Sequence, residues 1–173
     1  MVKFGIIADT HITEEDDPLK INKLLDELQK AFNDVDEIIH TGDVTEDFFL
    51  SELKKIAPVK CVKGVFDNIE NLPNFIKLQA GKYNIGVIHK LPEDLESFFK
   101  TNELHILIYG QTHQPLIQGT AYNTLYINPG YPTEPKAPPQ KRGFETPVPR
   151  PSVMTLKIDD NDLLSTFLIN LKI

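Results

Sequence analysis

From Val2 to Ala8 the chain is an almost unbroken apolar run, and Asp9 ends it. A run of that kind predicts a strand buried on both faces, with a polar residue at its C-terminal end. From Asp17 to Phe32 the apolar positions Leu19, Leu24, Leu25, Leu28, Ala31 and Phe32 follow a helical spacing, with acidic residues ahead of them as a helix start prefers. Strand character returns over Glu37 to His40, Gly42-Asp43 supplies a turn, Glu46 to Ile56 is a second helix and Val59 to Val62 a third strand. Strands alternating with helices predict a parallel sheet with helical crossovers.

After Gly64 the texture changes. Phe75 to Ala80 and Tyr83 to Ile88 flank Gly81-Lys82 as a hairpin, and Leu95 to Lys100 is a short helix. His105 to Tyr109, Leu116 to Thr120 and Thr124 to Asn128 read as strands, and Ser152 to Ile158 with Leu163 to Ile173 as a closing hairpin. Two sheets are therefore expected, one built from strand-helix units and one mostly antiparallel. Between Tyr131 and Pro151 stand seven of the chain's thirteen prolines, together with Lys136, Lys141, Arg142 and Arg150. That segment is expected to be a long loop, because proline resists both ladders and helices.

Composition narrows the function classes without naming one. The 173 residues suit a single domain spanning 1–173, and 40% hydrophobic with 25% charged residues is ordinary for a soluble chain. A net charge of −7 argues against sequence-independent binding to nucleic acid, which depends on cations neutralising phosphates. The one cysteine, Cys61, has no internal partner and reads as a small buried strand residue. The first residues run directly into a strand and no long apolar span follows, so no membrane association and a cytoplasmic location are the expectation.

Chemistry-bearing residues collect at strand ends. Asp9-Thr10-His11 follows the first strand, His40-Thr41-Gly42-Asp43 the second and Gly64-Val65-Phe66-Asp67 the third. His89 follows the hairpin, and Gln111-Thr112-His113 the next strand, so four of the five histidines lie in these loops. Ligands of open α/β sheets bind outside the carboxyl ends of strands, so loops distant in sequence can meet there. Any one of these residues alone reads as an ordinary turn residue. Together, carboxylates and neutral imidazoles form the mixed ligand set of Mn²⁺, Fe²⁺, Zn²⁺ or Co²⁺, and two such ions roughly 3.5–4 Å apart can clamp a phosphoryl group.

The order D-x-H, G-D, G-x-x-D, H and G-x-x-H, followed by Asn128-Pro129-Gly130, resembles the calcineurin-type metallophosphoesterases, in particular their small archaeal and bacterial phosphodiesterase branch. The resemblance covers almost the whole chain. It implies an α/β fold, a four-layer αββα sandwich of two mixed sheets flanked by helices, and hydrolysis of a small phosphodiester or phosphomonoester by a metal-activated water. By position it implies one metal on Asp9, His11, Asp43 and His113. A second metal would share Asp43 and take His89, an Asn after Gly64 and the first His of G-H-T-H. Here those last two positions hold Val65, which has no donor atom, and Gln111, whose amide oxygen is a weaker ligand than imidazole. One tight site and a second that is weak or absent are the expectation, with Mn²⁺ first and Zn²⁺, Fe²⁺, Ni²⁺ or Co²⁺ as alternatives.

His89 is the one side chain read as a catalytic candidate. Where the family commonly continues Gly and His after that histidine, this chain has Lys90, read either as a phosphate contact or as an ordinary surface lysine. Arg142 and Arg150 are further candidate phosphate contacts, with solvent exposure or a subunit contact in a homo-oligomer as the alternative. Asn68 reads as a turn residue rather than a displaced ligand.

Other phosphate chemistries fit less well. The D-x-D-x-T pattern of aspartyl-phosphate enzymes would need an Asp where His11 stands, the C-x5-R of cysteine phosphatases would need an Arg where Asp67 stands, and no G-x-x-x-x-G-K-[ST] loop occurs. A different class remains open: a eukaryotic retromer subunit of this fold is similar in the runs VKGVFDN and NIGVIH and serves as a protein-binding scaffold with a compromised metal site.

Overall fold

A computed structural model describes residues 1–135 and 137–173. In chain order its elements are β1 (Val2–Ile7), α1 (Pro18–Ala31), β2 (Glu37–His40), α2 (Asp47–Lys54), β3 (Val59–Cys61), β4 (Phe75–Ala80), β5 (Tyr83–Ile88), α3 (Leu95–Thr101), β6 (Ile106–Ile108), β7 (Leu116–Gly119), β8 (Leu125–Asn128), β9 (Ser152–Ile158) and β10 (Leu164–Asn170). Asp17 caps α1 by accepting a hydrogen bond from the Leu19 amide at 3.0 Å, and Pro18 follows it at the helix start, where a missing N–H costs nothing.

The strands form two mixed five-stranded sheets, in the orders β10-β9-β1-β2-β3 and β4-β5-β6-β8-β7. In the first, β1 pairs in parallel with β2, as β2 does with β3, while β9 runs antiparallel to both β1 and β10. The second sheet departs from the mostly antiparallel expectation. Its centre, β5-β6-β8, is parallel, and only the outer pairs β4-β5 and β7-β8 are antiparallel. The reason is connectivity: α3 carries the chain across between β5 and β6, and β7 lies at the edge, so that β8 returns alongside β6.

Alternation along the strands sorts the core into three layers. Ile7, Ile38 and Cys61 face α1 and α2 with Leu24, Leu28, Phe49 and Leu53. Their neighbours Ile6, Ile39 and Val62 face the other way, meeting Ile85, Val87, Ile106, Ile108 and Ile127 between the sheets. Leu107 and Ile88 point outward under α3, against Phe99, Leu104 and Tyr109. Three apolar interfaces separate four layers, the αββα arrangement. Each fully buried Leu, Ile or Phe contributes about 1.5–3 kcal/mol by leaving water, so the sandwich has ample apolar material without a metal.

The segment over 131–151 contains no helix or strand among its described residues, and Lys136 lies outside them. No helix among the described residues is long and apolar enough to cross a membrane.

Candidate metal centre

The loops after β1, β2, β3, β5 and β6 meet at the carboxyl ends of the parallel strands. Cross-loop hydrogen bonds tie them together beyond the strands: the Asp9 amide donates to the Gly42 carbonyl, the His11 amide to the Asp43 carbonyl and the Gly110 amide to the His89 carbonyl, each at 3.0 Å. The backbone there is unusual. Of ten non-glycine residues with positive φ among the described residues, seven belong to these loops: Asp9, His11, Asp43, Thr45, Asn71, Gln111 and His113. Left-handed backbone at a non-glycine residue costs of order 1–3 kcal/mol and persists only where surroundings over-determine it. Four of these positions, Asp9, His11, Asp43 and His113, are themselves candidate ligands.

Two glycines permit the close approach. A Cβ on Gly64 would stand 2.2 Å from Asp43 Oδ1, and one on Gly110 would stand 2.9 Å from Asp9 Oδ2. Backbone amides then orient the carboxylates. Asp9 accepts from the Gln111 amide at 2.9 Å through Oδ2, and Asp43 accepts from the Phe66 amide at 2.8 Å through Oδ1. Asp43 Oδ2 is thereby left toward two imidazoles, 3.2 Å from His89 Nε2 and 3.7 Å from His11 Nε2. Asp9 Oδ1 lies 3.8 Å from His113 Nε2 and 4.0 Å from His89 Nδ1.

Two ligand groups result, Asp9 with His11 and His113, and Asp9 with Asp43 and His89, the donor atoms of each lying within 4.8 Å of one another. Charge in this setting is expensive, and the protonation states show it. Burial raises the Asp9 carboxyl to about 7, although His89 and the Gln111 amide pull it down. Burial also opposes a charge on His89, but Asp43, the Thr41 carbonyl and Asp9 outweigh it and raise its pKa. For Asp43 the opposite balance holds: burial would raise it, but His89, the Phe66 amide and His11 bring it down. His11 is lowered, chiefly by burial, and so presents a neutral imidazole.

These residues fit a divalent cation. His89 Nδ1 donates to the Thr41 carbonyl at 2.9 Å, which fixes the ring and turns Nε2 inward, where it is buried without a well-directed hydrogen bond. Nε2 beside two buried carboxylates is the nitrogen and oxygen donor set that a divalent cation takes.

The fourth strand-end histidine is not part of either group. His40 is wholly buried and held neutral, its pKa lowered to about 3 by burial; its Nδ1 accepts from the Gly42 amide at 3.1 Å and its Nε2 meets Thr10 Oγ1 at 3.2 Å. Gln111 is exposed and offers the centre its backbone amide, and Val65 is likewise exposed. Lys90, Arg142 and Arg150 are exposed. Asn68 is an exposed loop residue whose backbone amide donates to the Thr45 carbonyl at 3.3 Å.

Two participants had no role assigned to them from the sequence. Buried Asp67 accepts from the amides of Gly64 at 2.7 Å, Thr45 at 2.8 Å and Asp43 at 3.0 Å, joining the loops after β2 and β3. Tyr131 packs its ring 4.1 Å from that of His113 and 5.7 Å from that of His11. Gly64-x-x-Asp67 carried a signal for the first; nothing local marked Tyr131 as more than the start of a loop. Asn128 supports the β6 loop, donating to the Gly110 carbonyl at 2.9 Å and accepting from Gly130.

Beside His11 opens a cleft of about 530 Å³ between α1 and the 131–134 segment, lined by Thr10, Ile12, Lys20, Lys23, Tyr131 and Glu134 among others. Neither Arg142 nor Arg150 lines it.

Residues 2–160 match the model of the calcineurin-like phosphoesterase superfamily domain. The chain belongs to this family. It is 32% identical over 170 residues to a probable metallophosphoesterase of Methanothermobacter thermautotrophicus, covering 92% of this chain and 87% of that protein. Among solved structures, wild-type Vps29 of Entamoeba histolytica complexed with Zn²⁺ superposes with a TM-score of 0.69 at 19% identity, over 98% of this chain and 99% of that one. A structure described as a novel archaeal phosphodiesterase gives a TM-score of 0.65 at 22% identity, over 97% of this chain and all of the other. At those identities the two structures speak for the fold, while the family is that of the metallophosphoesterases and the converging carboxylates and imidazoles are possible metal ligands.

Proposed function

We propose that the protein hydrolyses small phosphodiesters with a divalent cation held by Asp9, His11, Asp43 and His113, and that a weaker second position at His89 shares both carboxylates. The observation that carries this reading is the convergence of two buried carboxylates with three imidazoles, His89 Nε2 among them without a well-directed hydrogen bond. The cation supplies Lewis acidity, acidifying a water and offsetting charge that develops on phosphoryl oxygens. The chain's own residues do the rest. Gln111 and Phe66 hold the two carboxylates in fixed orientations, the Thr41 carbonyl fixes His89, and Tyr131 backs the ring of His113.

A diester suits the surroundings better than a monoester, because two places for an organic group adjoin His11: the cleft beside α1, and the exposed Val65-Phe66 tip. Mn²⁺ is the first candidate ion for an oxygen- and imidazole-rich set of this kind. Exposed Lys90, Arg142 and Arg150 enter the reading as contacts made once substrate is bound. The buried Cys61 thiol, whose pKa burial raises, accords with a reducing compartment.

A second reading, a protein-binding scaffold, draws on one observation: edge strand β10 and its approach expose Leu163, Phe167 and Leu168. Metal analysis of the purified protein, alongside hydrolysis of bis(p-nitrophenyl) phosphate with and without Mn²⁺, separates the two. Bound metal with Mn²⁺-dependent release of p-nitrophenol is the expected result. No metal and no release would leave the scaffold.

A further inference from the structure

Phe66 stands two-thirds exposed at the rim of the centre, with Val65 equally exposed beside it, where an apolar pair gains nothing from folding. Its backbone is nevertheless anchored to the centre. The Phe66 amide donates to Asp43 Oδ1, the neighbouring Gly64 amide donates to Asp67 Oδ2, and Asp67 itself is buried. The fold thus fixes where this ring emerges without covering it. The ring meets His11 at a centroid distance of 5.6 Å and an interplanar angle of 66°, an edge contact that leaves a face open. Tyr131, the other aromatic side chain against the ligand imidazoles, is buried on His113 and has no such face to offer.

We propose that Phe66 is a stacking platform for a planar aromatic substituent of the phosphoester, a nucleobase or an aryl group. The proposal rests on the phosphoesterase reading, since it is a phosphoryl group at Asp43 and His11 that brings the substituent alongside the ring. A flat partner is favoured over an alkyl chain because a fixed aromatic face recovers most contact from another π-surface.

The test uses the chain's lack of tryptophan, which makes Phe66→Trp the sole indole in the protein. With Mn²⁺ present, adenosine 5′-monophosphate and ribose 5-phosphate differ only by the base, and phenyl phosphate against inorganic phosphate supplies the aryl arm. The wild type should bind the base- or ring-bearing member of one pair or both about 10-fold more tightly, Phe66→Ala should abolish that difference, and Phe66→Trp should retain it with quenching of its fluorescence by the aromatic ligand. The two arms tell a nucleobase from a simple aryl group. Equal affinities for both members of both pairs in the wild type, or a preference untouched by Phe66→Ala, would overturn the proposal. So would loss of self-association in Phe66→Ala with ligand binding unchanged, which would make the ring a protein contact. The two readings fail separately: aromatic-dependent binding without diester hydrolysis would sink the phosphoesterase reading alone, whereas hydrolysis without aromatic preference would sink the platform alone.

Discussion

The two ligand groups of the centre share Asp9 but differ in what each adds to it. One side adds His11 and His113, both partly exposed; the other adds Asp43 and His89, both buried. Burial makes the His89 side the more demanding of positive charge, whereas the number of imidazoles favours the His11 side. Protein ligands decide affinity only if they are not already engaged, and Asp9 can serve one position only while also serving the other. By the resemblance, Val65 and Gln111 stand where two further ligands of the His89 position would be, and both are exposed. On the proposed reading, a two-metal architecture loses one position when it loses such ligands.

The shared atom is where that comparison breaks most completely. Asp43→Asn removes the charge that faces both His11 and His89, and His113→Ala removes a ligand private to the first group. Since outer-shell partners alone are worth about 10–100-fold in metal affinity, each variant should lose more than 100-fold while keeping the wild-type far-UV circular dichroism. Metal content by elemental analysis reads the outcome directly, and unchanged content in both variants would remove the assignment.

The converse is to rebuild the private ligands. Val65→Asn with Gln111→His and Lys90→Gly should raise Mn²⁺ stoichiometry toward two per chain and turnover of a diester on the order of 10²-fold, the worth of one added electrostatic contact in a transition state. Lys90 is included because its ammonium would oppose an incoming cation. Stoichiometry fixed at one in a Mn²⁺ titration would refute the reading of Gln111 as a degraded ligand.

Stability supplies a test that needs no substrate. Burial lifts the Asp9 pKa from an ordinary carboxyl value to about 7, so without metal its ionisation opposes the fold. A folded pKa above the unfolded one means stability that is full below about pH 4 and declines as pH rises through 7. Asp9→Asn keeps an acceptor for the Gln111 amide and removes the charge. In chelator-treated protein it should raise Tm by several degrees at pH 8 and by almost nothing at pH 4, on the scale of about 2–4 °C per kcal/mol for a chain of this size. Equal melting at pH 8 would show that the carboxylate carries no such burden.

The smallest effects belong to the exposed cations. Arg142→Ala and Arg150→Ala should each raise KM for a diester a few-fold at constant kcat, as expected of solvated phosphate contacts. An unaltered KM in both would return these residues to the solvent.

Much of this was readable in the chain because its core strands announce themselves: Ile6-Ile7, Ile38-Ile39 and Ile106 to Ile108 are apolar on both faces, as four packed layers demand. The direction of β8 was not readable, since whether Leu125–Asn128 pairs with its sequence neighbour alone or also with β6 depends on contacts far along the chain. In the centre, residue types at strand ends pointed to the ligands, yet they also pointed to His40, whose two ring nitrogens turn out to be engaged by Gly42 and Thr10. Imidazoles look alike in a sequence; only their partners distinguish a ligand from a strut. Asp67 stood in view as the end of G-x-x-D, but its work, receiving three backbone amides, is one that the motif does not display.

The left-handed turns at Asp9, His11, Asp43, Gln111 and His113 carry a lesson for anyone who would transplant this centre into another α/β scaffold. Copying the aspartates and histidines onto the ends of regular parallel strands would not reproduce these turns, and the ligands would be presented in a different geometry. What has to be transferred is the backbone itself, including the glycines at 64 and 110 and the Asp67 hub that hold it in a conformation it would not choose. Conversely, a backbone trace stripped of every side chain would still betray the centre, as the place where several strand ends in succession turn left.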